Sequence, residues 1–231
     1  MNSYQKKPNK FKERQARARA IVKVLKEMYP SPGSELRYKT KFQFVVAVIL
    51  SAQATDKKVN EITPALFEKY KTACDFARLT EKELQDYIKQ ISFFRNKAKN
   101  IIATAKIICK KYKNRVPKTT DKLTALPGIG YKTANVVLGE LFDIWEGIAT
   151  DTHVKRFALR FDLCDSKDPD KISKCLEALI PKKDWKYVNN GFVLYGRYIC
   201  PARKHDCSEH PLTKLWPEAN NRWLQGKMNK E

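Results

Sequence analysis

The sequence, 231 residues long, contains no long hydrophobic run. Its longest, Phe44 to Leu50, is far shorter than the roughly 18 consecutive apolar residues that a membrane-spanning helix requires. The segment from Met1 to Ala20 is basic and has no apolar core, so we do not expect a secretory signal there. The sequence therefore disfavours both a membrane protein and an exported protein.

The sequence also lacks the clustered cysteines of a small disulfide-stapled fold. It has six cysteines, spread through helical patterns: Cys74, Cys109, Cys164, Cys175, Cys200 and Cys207. This spacing, without an export signal, predicts reduced thiols in an intracellular protein.

Acidic residues are few compared with basic ones. There are 25 Asp and Glu against 46 Lys and Arg, which gives a net charge of +21. An excess of this size favours a polyanionic partner, most often nucleic acid. The alternative is a soluble protein with lysine-rich helix faces. A membrane surface is a weaker candidate, because neither end carries a lipidation motif.

The sequence has no convincing strand pattern, and most of it has the periodicity of amphipathic helices. Ile21 to Tyr29 carries an apolar stripe, and Phe42 to Gln53 has the length of a buried helix. Thr80 begins a capping box that Glu83 completes. We therefore predict an all-α fold, preceded by a basic, flexible arm over residues 1–20.

A Pro-Gly-x-Gly turn lies between two helical patterns, within Leu126 to Asn135. Glycines there can adopt a positive φ and let the backbone approach closely, so that amide groups at a helix N-terminus can bind a phosphate. We predict a helix–hairpin–helix over residues 121–142, although a plain turn between helices remains the alternative. The predicted DNA contacts of this hairpin are Leu126, Gly128, Ile129, Gly130 and Thr133.

Lys132 and Asp151 are the candidate catalytic residues. Lys132 lies in the first turn after the hairpin, where a neutral amine would be a nucleophile able to form a Schiff base. Asp151 lies where another helix begins and could stabilise positive charge on a sugar ring. Their structural alternatives are a solvated lysine that contacts a phosphate and an ordinary N-cap.

These motifs together resemble those of the endonuclease III family, within the helix–hairpin–helix DNA glycosylase superfamily. The resemblance rests on Leu126 to Asn135, on Asp151 to His153 and on Leu50 to Asp56, and it runs from about Ile21 to Cys207. It implies a monomeric two-lobed fold with a DNA-binding cleft between the lobes. It also implies double-stranded DNA with damaged bases or abasic sites as the partner, and an intracellular, DNA-associated location in the cytoplasm or nucleoid.

The resemblance further implies a reaction. The family flips an oxidised pyrimidine out of the duplex, and the lysine matching Lys132 attacks the sugar carbon and displaces the base. β-Elimination then nicks the strand. The aspartate matching Asp151 assists base departure, and the glutamine matching Gln53 fills the hole in the duplex. A monofunctional glycosylase and a non-catalytic helix–hairpin–helix DNA-binding protein remain the alternatives.

The C-terminal end departs from the family pattern, which holds a 4Fe–4S cluster on four cysteines. Cys200 and Cys207 match the first two positions, but His210 and Trp216 occupy the others. Such clusters need four ligands, usually thiolates. We therefore predict no cluster and no other cofactor. The alternative is a zinc site from Cys200, Cys207 and His210, with His205 or Glu209 as the fourth ligand.

Two further regions are expected to contact DNA. Phe93 stands where the family commonly inserts a leucine wedge, although it could instead be a core residue of the following helix. Arg203 and Lys204 lie in a basic loop, residues 200–210, that can contact phosphates without any cluster. The predicted lobes are residues 35–143, with the hairpin, and residues 21–34 with 144–231.

Overall fold

The computed structural model describes residues 8–203 and 205–221, which are helical and contain no β-strand. This confirms the predicted all-α fold class. None of the described helices has the length and apolarity that a membrane span requires. The α-helices are α1 Pro8–Met28, α2 Lys41–Ser51, α3 Asp56–Lys69, α4 Ala73–Ala77, α5 Glu81–Ile88, α6 Phe94–Lys111, α7 Thr120–Thr124, α8 Tyr131–Phe142, α9 Thr152–Arg160, α10 Pro169–Leu179, α11 Phe192–Tyr198 and α12 Pro211–Leu215.

The helices are divided between two compact units. The central unit is Ser34–Glu146 and holds α2 to α8, whereas the terminal unit combines the residues up to Gly33 with those from Gly147 onwards. Each unit has its own hydrophobic cluster. The sequence analysis placed the corresponding boundaries at residues 35 and 143.

Helix α2 lies in the core of the central unit, since every residue from Phe42 to Leu50 is buried. Burying a large aliphatic side chain contributes roughly 1.5–3 kcal/mol. Threonine side chains start the first four helices of this unit, each accepting the N–H of the residue three positions on. Such N-caps satisfy backbone groups that the helix itself cannot pair. They are Thr40, Thr55, Thr72 and Thr80.

The prediction of a flexible arm over residues 1–20 is wrong for residues 8–20, which belong to α1. Ala18 is fully buried, and Arg14 is only 3% exposed. Arg14 donates to Asp162 at 2.7 Å and to Asp165 at 2.6 Å. Its hydrogen bond lowers the pKa of Asp165 to about 2. The prediction rested on the basic charge of this segment, but Asp162 and Asp165 of the terminal unit pair with Arg14 and anchor the helix. Residues 1–7 lie outside the described residues.

The prediction that all six cysteines are reduced is also wrong for one pair. A disulfide joins Cys74 in α4 to Cys109 in α6, at a sequence separation of 35. Their spacing gave no sign of it, because only the packing of α4 against α6 brings the two Cα atoms to 5.0 Å. The other four cysteines are buried and outside any disulfide.

Candidate active site

The hairpin between α7 and α8 is anchored by its two apolar side chains. Leu126 is 2% exposed and Ile129 is 4% exposed, and both belong to the core of the central unit. The Ile129 amide donates to the Leu126 carbonyl at 3.2 Å, and Thr104 of α6 donates to the Pro127 carbonyl at 2.8 Å. The predicted DNA contacts at positions 126 and 129 can therefore involve only the backbone, because both side chains face the core.

The two glycines of the hairpin have different roles. Gly128 has φ +80°, and a Cβ there would lie 2.9 Å from Cβ of Asn100. Gly130 has φ −85°, and a Cβ there would meet nothing within 4 Å. The expectation that both glycines supply a positive φ is thus wrong for Gly130. Of the two hairpin glycines, the fold requires only Gly128.

Helix α8 begins without a side-chain cap. Gly130 is its N-cap residue, and no acidic residue lies in its first turn. Lys132 is exposed, Thr133 is half-buried and Tyr131 is 56% exposed. No ion pair among the described residues involves Lys132. The amides at this helix start face solvent in a positive environment, which suits an anion.

Asp151 caps the N-terminus of α9. Its Oδ1 atom accepts the amides of His153 and Val154, both at 2.8 Å. Both of these bonds fall on one oxygen. The second oxygen, Oδ2, takes no part in the cap, so the carboxylate is held in one orientation while half of it is available for other interactions.

Three side chains fix the segment that leads to Asp151. The Ile148 amide donates to Oε1 of Glu177 at 3.0 Å, and the Ser173 hydroxyl donates to the Ile148 carbonyl at 2.7 Å. The Ala149 amide donates to Oδ1 of Asn189 at 2.7 Å. Asn189 lies in a π-helical turn, Tyr187–Gly191, which no sequence pattern indicated. Such turns occur frequently at functional sites.

Gln53 and Phe93 share an unusual backbone conformation. Gln53 has φ +57° and Phe93 has φ +59°, a left-handed region that is strained for a bulky residue. Both side chains are exposed, Phe93 by 62%. Phe93 is therefore not a core residue of α6, and that alternative is wrong. An exposed aromatic on a strained turn is consistent with the predicted wedge.

Lys97 connects the turns of Gln53 and Phe93, and the sequence analysis missed it. Its side chain is buried, and its Nζ atom donates to the carbonyls of Leu50 and Ala52, at 2.8 and 2.5 Å. Burial lowers the pKa of this lysine. The signal was present in the sequence, because Lys97 lies on the apolar stripe of α6, three residues after Phe94 and one before Ala98.

The predicted cluster positions lie in the terminal unit. Cys200 and Cys207 are 1% and 0% exposed, and the Arg160 guanidinium donates to the sulfur of each. The ligand atoms of Cys200, His205 and Cys207 lie within 4.8 Å of one another. The structure thus brings together His205, not Glu209, with the two cysteines.

Two of the other predicted residues have different partners. Glu209 forms an ion pair with Lys214 at 2.8 Å. The ring of Trp216 lies under the Arg17 guanidinium, 4.1 Å from it. Arg203 is exposed, as a phosphate contact requires, and Lys204 lies outside the described residues. Glu209 and Trp216, both expected near a metal, therefore interact with other side chains instead.

Comparison with known proteins places this geometry in a family. Residues 46–182 match the family of HhH-GPD superfamily base excision DNA repair proteins. The endonuclease III of Synechocystis sp. is 42% identical over 210 residues, 91% of this chain and 96% of the relative. That of Bacillus subtilis is 42% identical over 201 residues, 87% of this chain and 91% of the relative. The chain belongs to the endonuclease III family.

A solved structure supports the same assignment. Endonuclease III in a trapped covalent intermediate with DNA has a TM-score of 0.81 and 37% identity, covering 90% of this chain and 98% of that one. The similarity extends across nearly the full length of both chains. The chain therefore shares the fold of the family over nearly its full length.

The donor set does not fit the 4Fe–4S cluster of the family. Such clusters need four ligands, usually thiolates. Cys200 and Cys207 are the two thiols at the site, and Trp216, at the fourth family position, has no ligand atom. The group that the structure does assemble, two thiols and an imidazole, is one that could hold a metal ion.

Proposed function

We propose that this member of the endonuclease III family is a base-excision repair DNA glycosylase and AP lyase in which Lys132 is the nucleophile. It removes oxidised pyrimidines from double-stranded DNA and then nicks the strand at the abasic site. The observation that carries the assignment of Lys132 is its position, exposed at an uncapped helix start beside the hairpin. The proposed location of the enzyme is inside the cell, with the DNA.

The hairpin positions the DNA. Amides at the start of α8 donate to a phosphate oxygen, and Gly130 lets that phosphate approach because no side chain stands in the way. This contact is independent of base sequence, so it sets the position of the strand and not the choice of lesion. The basic loop adds Arg203 as a further phosphate contact.

The chemical step uses the neutral amine of Lys132. Its Nζ atom forms a bond to C1′ of the flipped nucleotide, while the glycosidic bond breaks and the base leaves with the electron pair, to be protonated. Opening of the sugar ring gives a protonated imine. Loss of a proton from C2′ then breaks the C3′–O3′ bond, which is the β-elimination, and water releases the lysine from the imine.

Asp151 acts on the charge that develops during base departure. Its Oδ1 atom is held by two amides of α9, so the carboxylate cannot turn away. Oδ2 then stabilises positive charge on the sugar ring, as carboxylates do in other glycosidic cleavages, and can accept a proton from the lysine. A carboxylate held in this way needs little reorganisation in the transition state.

Gln53 and Phe93 maintain the flipped state. Extrusion of the base leaves a gap in the stack, and Gln53 fills it while Phe93 stacks on the exposed bases nearby. Base–aromatic stacking is worth about 1–3 kcal/mol per base. Lys97 is a positioning residue for both, since its amine holds the carbonyls on either side of Ser51, at the start of the turn that carries Gln53.

The proposed reaction needs no iron–sulfur cluster, and the site offers too few thiolates for one. The measurement is the iron and acid-labile sulfide content of the purified chain. We expect neither above background. Stoichiometric iron and sulfide would contradict the proposal.

The experiment for the nucleophile is a borohydride trap. Wild type and Lys132→Ala are incubated with a duplex that contains one thymine glycol, and borohydride reduces any imine to a stable covalent adduct. We expect the adduct with wild type and none with Lys132→Ala, together with a fall in the cleavage rate on the order of 10⁴-fold. Lys122→Ala, an exposed lysine of the same hairpin, is the matched control and should trap normally.

Other outcomes identify the alternatives. Base release without a trapped adduct in wild type would indicate a monofunctional glycosylase. Binding of the duplex without base release, on this lesion and on a panel of oxidised pyrimidines, would indicate a non-catalytic DNA-binding protein. An adduct that persists in Lys132→Ala would place the nucleophile on another amine.

A further inference from the structure

The site where the family holds its cluster contains a cysteine–histidine group in this chain: Cys200, His205, Cys207 and His210. It lies in the terminal unit and includes neither Lys132 nor Asp151. Thiolate and imidazole are the two ligand types that structural zinc sites use, always in fours and tetrahedrally arranged. The composition of the group is therefore that of a Cys₂His₂ site.

The spacing of two of these ligand atoms matches zinc geometry. Sγ of Cys200 lies 3.6 Å from Nε2 of His205. Zinc–sulfur and zinc–nitrogen bonds of about 2.3 and 2.05 Å, at a tetrahedral angle, separate the two ligand atoms by roughly 3.5 Å. Sγ of Cys207 lies within 4.8 Å of both. One ion can thus contact all three residues after only small side-chain movements.

The ring of His205 is already in the form that binds a metal. Its Nδ1 atom lies 2.7 Å from the Arg203 carbonyl oxygen, and a carbonyl can only accept, so Nδ1 carries the hydrogen. In the neutral ring Nε2 then has a free lone pair, and this is the atom that faces Cys200. Histidines that bind metals almost always donate their other N–H in this manner, which fixes the ring orientation.

His210 lies outside the group of three ligand atoms within 4.8 Å of one another, but its ring is next to that of His205. Its ring centroid lies 5.1 Å from that of His205. Its Nδ1 atom is buried and has no hydrogen-bond partner among the described residues. Leaving a buried polar atom without a partner is energetically unfavourable. Coordination of a metal by this nitrogen would remove that cost.

Arg160 supports such a site from outside. Its guanidinium donates to the sulfur of both cysteines, and each sulfur has further lone pairs for a metal. The same arginine also donates to the Ala219 carbonyl at 3.0 Å, which ties the group to the C-terminal part of the unit.

We propose that Cys200, His205 and Cys207 bind one Zn²⁺ ion, with His210 as the fourth ligand. The ion would replace the family's cluster as the structural link of residues 200–210, which carry Arg203. It takes no part in the chemistry of Lys132. The sequence identified the possible ligands, but only the fold shows that His205, and not Glu209, lies with the two cysteines.

Metal analysis tests this proposal. The chain is produced without a histidine tag in zinc-containing medium, and bound metals are measured by mass spectrometry. We expect about one zinc per chain in wild type and loss of it in Cys207→Ser and His205→Ala. Cys175→Ala, which removes a buried cysteine of the same unit outside the group, is the matched control and should keep its zinc. His210→Ala should retain zinc more weakly, with faster loss to a chelator.

Cobalt binding to the wild-type protein tests the site without depending on the folding of a variant. Wild type is stripped with a chelator and titrated with Co²⁺, and tetrahedral thiolate ligation would give strong visible d–d bands with thiolate-to-cobalt charge transfer. Three results would overturn the proposal: wild type without zinc and without these bands, iron with acid-labile sulfide at the site, or a Cys200–Cys207 disulfide in metal-free protein as purified.

Discussion

Two helix N-termini carry the proposed catalytic residues, and they are built in opposite ways. Helix α8 starts at Gly130 without a side-chain cap, with Lys132 exposed in its first turn. Helix α9 starts at Asp151, whose carboxylate accepts two of the amides of its own helix. The amides at the start of α8 remain available to an external anion, whereas two of those at the start of α9 are hydrogen-bonded to Asp151.

The difference shows how one local structure serves two purposes. Each helix has free amides and a positive dipole end at its N-terminus. Where glycine precedes the helix, those groups remain available to a phosphate. Where aspartate precedes it, the amides instead hold a carboxylate in place for chemistry. In the central unit α2 to α5 are capped by threonine side chains, whereas α6, α7 and α8 begin without a side-chain cap.

The largest expected effect comes from separating the two roles of Asp151. Asn caps helices about as well as Asp, so Asp151→Asn should change the free energy of unfolding by less than about 0.5 kcal/mol. It should nevertheless slow base release by about 10²–10⁴-fold, because the charge is lost. Asp151→Ala should lose the rate and also about 1 kcal/mol of stability. Single-turnover kinetics measure the rate of base release, and urea unfolding measures the stability. Full activity in Asp151→Asn would show that Asp151 serves only as a helix cap.

A second substitution makes the α8 start resemble that of α9. Gly130→Asp places a capping carboxylate where the backbone is extended and no atom lies within 4 Å of the new Cβ. Stability should change by only a few tenths of a kcal/mol. Affinity for duplex DNA should fall about 100-fold, because charge-assisted bonds to the phosphate, worth about 1.5–3 kcal/mol each, are lost.

Gly130→Ala is the control for that comparison, since it adds a Cβ without a cap or a charge. Fluorescence anisotropy with an undamaged duplex measures both variants. We expect Gly130→Ala to lose much less affinity than Gly130→Asp. Equal affinity in Gly130→Asp and wild type would show that the α8 start does not bind phosphate.

The start of α6 extends the comparison, because it too lacks a side-chain cap and has Phe93 in its place. Phe93→Ala should reduce affinity for a duplex with an abasic site by about tenfold, through the loss of base stacking. Tyr198→Ala, an aromatic of the terminal unit that is 64% exposed, is the matched control and should bind normally. Unchanged affinity of Phe93→Ala would show that Phe93 is no wedge.

The smallest effect concerns the fold of the hairpin itself. Gly128→Ala should destabilise the protein by about 1–2 kcal/mol, because Gly128 has a positive φ and no room for a Cβ beside Asn100. Gly130→Ala should leave the thermal midpoint close to that of wild type. Calorimetry of both variants checks this, and equal midpoints would contradict the different roles given to the two glycines.

Much of this site was predictable because its determinants are local in sequence. The hairpin, the position of Lys132 and the capping position of Asp151 each follow from a few adjacent residues. The prediction failed where contacts are distant in sequence. Residues 8–20 were predicted to be a flexible arm because the acids that pair with Arg14, Asp162 and Asp165, are far away in sequence. Lys97 was missed because its partners are backbone carbonyls at the end of α2.

By itself the sequence determined the helical class, the helix starts at Glu81, Tyr131 and Thr152, and the family, because periodicity, caps and short motifs are properties of neighbouring residues. Only the tertiary structure decided which glycine of the hairpin is indispensable and that Cys74 pairs with Cys109. It alone also decided that His205, and not Glu209, joins Cys200 and Cys207. The first two depend on distances between atoms far apart in the chain, which packing sets and residue order does not. The third depends on how the chain folds around Cys200 and Cys207.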